Sequence, residues 1–236
     1  MTCTDTPLFH TPEDADLMNA LPVLPVPASG SSPAIEALKA QKSANGFLIG
    51  YDGVHAFIRR PWITALLALT RPLPINRLYG KAGPADINLH CKIIPGQMLE
   101  NIVSTFREAL PNEAGAFIIW NEETRTFRTA YPKVISSTPS RLSYTPVELH
   151  AHEHLVADIH SHGNSGPFWS TTDDADDAHQ TALSIVVGNL SKDSLTGSYI
   201  ARLCSRGVYF PLSKSPFSAT DQTSSHLTFI PAKKQV

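Results

Sequence analysis

The chain has 236 residues, of which 42% are hydrophobic, and its formal net charge is −2. This length allows one sizeable core, or one core with a small partner domain. The near-neutral charge and the scattered basic residues give no electrostatic basis for binding nucleic acid or an anionic membrane. No uninterrupted apolar run approaches the roughly 20 residues that span a bilayer.

The N-terminus, MTCTDTPLFHTPEDAD, is polar and acidic, without the basic start and apolar centre of a secretory signal. Cys3, Cys91 and Cys204 are widely separated and form no CxxC pair. They therefore predict neither a disulfide framework nor a zinc ribbon. We expect a cytoplasmic protein.

Proline and serine content predicts the domain organisation. Six prolines fall within the first 33 residues, which predicts a flexible leader over residues 1–45. A Ser/Thr-rich composition predicts a second flexible segment over residues 213–236. Residues 46–95 are expected to form a small α+β region, in which Asn45–Arg60 reads as a hairpin and WITALLALT, Trp62–Thr70, as a short core helix.

Residues 96–212 show firmer patterning. Apolar residues from Met98 to Leu110 recur at helical spacing, and Pro111 ends that helix. Further elements follow in the order strand, strand, strand, helix, strand, strand: Gly115–Trp120, Thr124–Val134, His154–His160, Asp173–Leu183, Ser184–Leu190 and Gly197–Cys204. This order predicts an α+β domain built on a mixed or antiparallel sheet.

The stretch from Val156 to Asp177 contains a candidate metal site. His160 and His162 alternate on a strand, so both imidazoles leave one face, with Cα atoms about 6.6 Å apart. Asp173, at the first turn of the next helix, can supply an oxygen ligand and leave a fourth tetrahedral position for water. Taken singly, the two histidines are also typical of a surface strand, and Asp173 of a capped helix N-terminus.

The joint spacing carries more information than its parts. His160-Ser161-His162 is followed by GNSGPFW, Ser170, TT and Asp173, and this order resembles the signature of the JAMM/JAB (MPN-plus) zinc metalloproteases. Upstream, PNEAGAFIIW resembles the segment that carries the family's glutamate, at Glu113. The resemblance covers about half of the chain. It implies a JAB1/MPN-like (cytidine-deaminase-like) α+β fold, a mixed sheet flanked by helices.

The resemblance also implies a mechanism. His160, His162 and Asp173 would hold one Zn²⁺, and Glu113 would act as general base on a zinc-activated water. Ser170 would donate a hydrogen bond to the oxyanion. The expected reaction is hydrolysis of a peptide or isopeptide bond without a covalent intermediate.

Details of the motif resemble the protein A components of bacterial PRTRC systems, in which a glycine, here Gly163, follows the second histidine. This resemblance implies a ubiquitin-like protein as substrate, cleaved at its C-terminal tail, and a ThiF-like adenylating protein as a further partner. A non-catalytic scaffold that binds a ubiquitin-like protein is the alternative, since many domains of the family have lost the metal. All five motif positions are present here, which favours an enzyme.

Other histidines and acids near the motif have simpler interpretations. DIHSHG also resembles the opening of amidohydrolase barrels, but only 74 residues follow His162, too few for the rest of a barrel. His150, His152 and His154 are expected to lie in a polar strand or loop. The acids that follow Asp173, at positions 174, 176 and 177, are expected to be solvated. Asp158 shares a face with His160 and is a candidate for orienting its imidazole from outside the ligand set.

Overall fold

The structure is a computed structural model that describes residues 21–72, 78–145, 147–219 and 227–232. The chain divides into two compact units, Met1–His90 and Cys91–Val236. We call them the N-terminal and C-terminal units. No helix in the described ranges is long and apolar enough to cross a membrane.

In its described residues, the N-terminal unit contains a five-stranded sheet and one helix, α1 (Pro33–Ala40). The strands lie in chain order across the sheet, β1 parallel to β2 and the others antiparallel. Their bounds are β1 (Val23–Pro25), β2 (Ala44–Gly50), β3 (Gly53–Arg60), β4 (Ile63–Ala68) and β5 (Asp86–Leu89). The predicted hairpin is confirmed, because β2 and β3 pair through a turn that joins Gly50 to Gly53.

Two sequence-based expectations for this unit are wrong. WITALLALT forms β4, where Ile63, Ala65 and Leu67 are buried in alternation, a period of two that a short apolar run conceals. Residues 21–45 of the predicted flexible leader form β1, α1 and the start of β2. Proline is tolerated there because β1 is an edge strand and Pro33 occupies the first turn of α1. Residues 1–20 lie outside the described ranges.

The C-terminal unit is built on a seven-stranded mixed sheet, with the path β13-β12-β11-β10-β6-β7 and β14 paired to β12. A separate two-stranded sheet joins β8 to β9. The strand bounds are β6 (Gly115–Asn121), β7 (Thr126–Ala130), β8 (Lys133–Thr138), β9 (Arg141–Thr145), β10 (Glu153–Ser161), β11 (Thr181–Gly188), β12 (Gly197–Ser205), β13 (Val208–Pro211) and β14 (Leu227–Phe229).

Within the described part of this unit, two helices accompany the sheet. α2 (Gly96–Ala109) buries Leu99, Ile102, Val103 and Phe106, which confirms the apolar face predicted there. α3 (Thr171–Asp177) lies in the crossover between β10 and β11, which are parallel neighbours. It is shorter than the predicted helix Asp173–Leu183, because Thr181 already belongs to β11.

The tail prediction for residues 213–236 also needs correction where the structure describes it. β14 pairs in parallel with β12, and Phe217 is buried. The rings of Phe217 and Phe229 both pack against Tyr199 of β12, at centroid distances of 5.9 and 5.2 Å. Aromatic burial thus anchors a segment whose Ser/Thr content predicted flexibility. Residues 220–226 and 233–236 lie outside the described ranges.

Candidate metal centre

Three side chains converge at the C-terminal end of β10. His160 is on the strand, His162 follows its last residue, and Asp173 is in the first turn of α3. The Nε2 atoms of the two imidazoles lie 3.2 Å apart, and His160 Nε2 lies 3.2 Å from Asp173 Oδ1. In the described part of the chain, this is the one group of three or more His, Cys, Asp and Glu side chains whose ligand atoms all lie within 4.8 Å of one another.

These distances fit a small tetrahedral cation. With Zn–N bonds of about 2.0 Å, a tetrahedral ion holds its ligand nitrogens about 3.3 Å apart. The two Nε2 atoms already have that spacing. Two imidazoles and a carboxylate are also a ligand set that zinc accepts, with a fourth position left open. The residues present therefore fit zinc.

Asp173 is held in place by its own helix terminus. Its Oδ2 accepts hydrogen bonds from the Ser170 amide at 2.6 Å and the Ser170 hydroxyl at 2.7 Å, while its amide donates to Ser170 Oγ at 3.2 Å. This capping box leaves Oδ1 directed at His160. Burial opposes ionisation of Asp173, but the His160 and Ser170 hydrogen bonds outweigh it and hold its pKa well below the usual range.

The two imidazoles have opposite electrostatic settings. Burial disfavours the charged form of His160, but Asp173, Asp158 and Glu113 act against it and raise its pKa overall. Burial lowers the pKa of His162, and the neighbouring His160 lowers it further. A neutral imidazole is the form that binds a metal, so His162 is available as a ligand at lower pH than an ordinary histidine.

Glu113 lies in the loop between α2 and β6, and it lines the same cleft as His160, His162 and Asp173. The cleft has a volume of about 390 Å³. Burial raises the pKa of Glu113, His160 opposes this shift, and Asp173 adds to it. A raised pKa brings a carboxylate closer to the range in which it can both accept and return a proton.

The backbone next to Glu113 is attached directly to the histidine motif. The amide of Ala114 donates to the buried Ser161 Oγ at 3.0 Å, and the Ser161 amide donates to the Ala114 carbonyl at 2.9 Å. Gly163 has a φ of +55°, and a Cβ there would lie 3.1 Å from the Pro111 carbonyl. Only a residue without a side chain allows this approach without strain, which is a physical reason for glycine after the second histidine.

Asp158 lies two residues before His160 on β10 and lines the same cleft. Its Oδ2 accepts long hydrogen bonds from Tyr144 Oη at 3.5 Å and Gln180 Nε2 at 3.4 Å. Burial raises its pKa to about 6, opposed by His160 and supported by Asp177. Asp158 therefore acts on His160 through charge, while its hydrogen bonds go to Tyr144 and Gln180.

The acids after Asp173 are not all solvated, and this expectation is wrong for Asp177, which is 4% exposed. Arg202 of β12 donates to Asp177 Oδ2 from Nε and Nη2, at 3.2 and 2.7 Å, and from Nη1 to Asp174 Oδ1 at 2.6 Å. A lone arginine within the apolar strand GSYIARLC was the available sequence signal, because a buried cation needs an anionic partner.

The second group of histidines also has an unforeseen partner. Glu122 directly follows β6, and its two oxygens lie 3.5 Å from His152 Nδ1 and 3.3 Å from His154 Nε2. His154 is in β10 and His152 in the turn before it, in line with the predicted polar strand or loop. The ligand atoms of these three side chains do not all lie within 4.8 Å of one another, unlike those of His160, His162 and Asp173.

Residues 95–199 match the family model described as prokaryotic homologs of the JAB domain. This match supports membership of the JAB family. The JAB segment begins one residue before α2 and ends within β12, so it contains Glu113, Ser170 and the three convergent side chains His160, His162 and Asp173. The mixed sheet with few helices agrees with a JAB/MPN-like fold, and the fold prediction is confirmed.

Residues 11–90 match a second family model, described as a domain of unknown function, DUF2016. Its end coincides with the end of the N-terminal unit at His90. No curated protein matches the chain.

Proposed function

We propose that the chain is a zinc-dependent peptidase or isopeptidase that hydrolyses an amide bond at the C-terminal tail of a ubiquitin-like protein. The observation that carries this proposal is the convergence of His160, His162 and Asp173 at zinc-ligand spacing in one cleft with Glu113. Glu113, whose pKa is raised by burial, lines the same cleft, and this supports a role in proton transfer there.

His160, His162 and Asp173 would hold the metal. A bound zinc supplies Lewis acidity, which polarises a carbonyl and lowers the pKa of water toward neutrality. Glu113 takes the proton of the attacking water and delivers it to the departing amine, so that the carboxylate is regenerated at the end of each turnover. Burial of Glu113 suits both halves of this transfer, because it weakens the carboxylate's preference for the ionised form.

Ser170 lines the cleft and is the proposed donor to the oxyanion. Its hydroxyl proton is directed at Asp173 Oδ2, so donation to substrate requires the hydroxyl to turn away from that oxygen. The Ser170 amide still donates to the same Oδ2 at 2.6 Å, which keeps Asp173 in position during the turn. Asp158 is proposed to favour the working orientation of His160 through its nearby charge.

We propose residues 96–212 as the catalytic domain and a ubiquitin-like protein as its substrate, with a ThiF-like adenylating protein as a further partner. Support for the substrate comes from the resemblance to the protein A components of PRTRC systems, whose sequence signature includes the glycine at position 163. The side chains that would hold the metal are largely buried, with His162 8% exposed, so a thin, extended tail would reach them more easily than a folded surface does.

The test uses the full chain and the ubiquitin-like protein of a PRTRC system, extended by a C-terminal peptide. We expect the wild type to release the peptide, a zinc chelator to stop release, and Glu113→Gln to stop release while zinc stays bound. Glu123→Gln, at an exposed acid outside the cleft, is the matched control and should cleave normally. Stable binding of the ubiquitin-like protein without any cleavage would favour the scaffold instead.

A further inference from the structure

α3 carries the proposed ligand Asp173 but has little means of holding itself in place. It has seven residues, about two turns, which is too short to be stable alone. Asp177 is its one buried residue, so no apolar face attaches it to the sheet. Whatever fixes the position of Asp173 must therefore act through polar contacts.

Those contacts meet at Arg202. The side chain is 5% exposed and lies on β12, beyond the strand to which the crossover leads. Its guanidinium binds Asp174 and Asp177 on α3, and Cys204 Sγ adds a contact to Asp177 Oδ2 at 3.3 Å. Arg202 thus reaches both the residue after Asp173 and the last residue of the helix.

The planar guanidinium also contacts two aromatic rings. Its Cζ lies 4.9 Å from the ring centroid of Trp169 and 4.3 Å from that of Tyr209. Trp169 directly precedes the N-cap Ser170, and the Tyr209 hydroxyl donates to the Asp174 carbonyl. Arg202 therefore contacts the chain before Asp173, at Trp169, and after it, at Asp174, where Tyr209 adds a further hydrogen bond.

We propose that Arg202 is a positioning residue that holds α3 so that Asp173 Oδ1 meets the two histidine nitrogens. The inference rests on the proposed function, because it concerns the same metal. Arg202 lies outside the segment that matches the JAB family model. It touches neither the cleft nor the ligands, and acts through the placement of the helix.

The chemistry makes arginine specific for this task. Lysine keeps the charge but places it on one ammonium nitrogen, which has no planar fork to bind two carboxylates from separate nitrogens while stacking on aromatic rings. Arg202→Lys should therefore leave α3 attached through one acid only. Arg202→Met removes the charge as well and leaves Asp177 buried without a cation.

The test measures zinc affinity of the full chain by competition with a chromophoric chelator, below the melting temperature of every variant. We expect Arg202→Lys to bind zinc about 10-fold to 100-fold more weakly than the wild type, and Arg202→Met more weakly still. With Co²⁺ in place of zinc, the visible spectrum of Arg202→Lys should lose the intensity of a tetrahedral site. Melting temperatures in chelator record any loss of stability separately.

The matched control is Arg128→Lys. Arg128 donates to both oxygens of Glu153 at 2.7 and 2.6 Å, an arginine–carboxylate pair of the same unit with no contact to α3. Its zinc affinity should stay within about twofold of the wild type. If Arg202→Lys does not fold, Asp174→Asn replaces it, with an expected loss of about threefold to tenfold.

A folded Arg202→Lys, or in its place Asp174→Asn, that binds zinc as tightly as the wild type overturns the inference alone. The same holds for a variant whose zinc affinity falls no further than that of Arg128→Lys. A wild type that binds no zinc contradicts the proposed function and, with it, the inference.

Discussion

Asp158→Asn should stabilise the zinc-free protein, and more so as the pH rises. The carboxylate lies in the cleft with two long hydrogen bonds, and burial raises its pKa to about 6 from the ordinary 3.8. A carboxyl whose folded pKa is raised binds its proton more tightly in the folded state. Its contribution to stability is therefore present below pH 3.8 and is lost as the pH rises through 6.

The magnitude follows from the same shift. Each pKa unit corresponds to about 1.4 kcal/mol, so full ionisation of Asp158 would cost about 3 kcal/mol of unfolding free energy. The cleft is open to water, which reduces this to about 1–2 kcal/mol. Asparagine keeps an oxygen that can accept from Tyr144 and Gln180 but cannot ionise, so it escapes the cost.

Urea denaturation in the presence of a chelator, at pH 4 and pH 7.5, measures the effect. The stability gained by Asp158→Asn should be larger at pH 7.5 by about 1–2 kcal/mol. Asp193→Asn, at an exposed aspartate of the same unit, should show no such dependence. A gain that is equal at both pH values, or larger at pH 4, would refute the reasoning.

Three further substitutions test other parts of the account. Gly163→Ala should lower the free energy of unfolding by about 1–3 kcal/mol in thermal or urea melts, since φ is +55° and the new Cβ would lie 3.1 Å from the Pro111 carbonyl; an unchanged stability would mean that the backbone there is not strained. Phe106→Ala should cost about 3–5 kcal/mol, because the ring is fully buried; a loss below about 1 kcal/mol would contradict that burial. Ser170→Ala should weaken zinc binding as well as turnover, because the hydroxyl also holds Asp173; unchanged zinc affinity would separate the two roles.

Short-range chemistry explains what the sequence predicted correctly. His160 lies on β10, His162 directly follows that strand, and Asp173 lies in the first turn of α3, because strand periodicity and helix capping depend on neighbours a few residues away. The apolar face of α2 is local in the same sense. Glu113 was reached only through resemblance, since no local pattern connects it with residues 47 and more positions later in the chain.

Longer-range pairing explains what the sequence did not reveal. The sequence predicted a solvated helix acid at Asp177. Its partner Arg202 lies 25 residues later in the chain, on β12, which is separated from β10 by β11. Glu122 likewise meets His154 because β6 and β10 are neighbours. Such pairings follow from strand order, which one sequence does not specify.

The predictions for the short apolar segment and the proline-rich segment were wrong for another reason. The composition of WITALLALT is compatible with either a strand or a core helix. The segment forms the strand β4 because β3 and β5 offer backbone hydrogen-bond partners on both sides. In the segment around Pro22 and Pro25, an edge position beside β2 made the missing amides harmless. Tertiary context overrode the local preference in both cases.

The zinc content of the full chain tests the central claim most directly. Protein purified without an affinity tag and without chelator should contain about one zinc per chain, and His160→Ala combined with His162→Ala should contain almost none. Less than about a tenth of an equivalent in the wild type, or equal zinc in the double variant, would contradict the account.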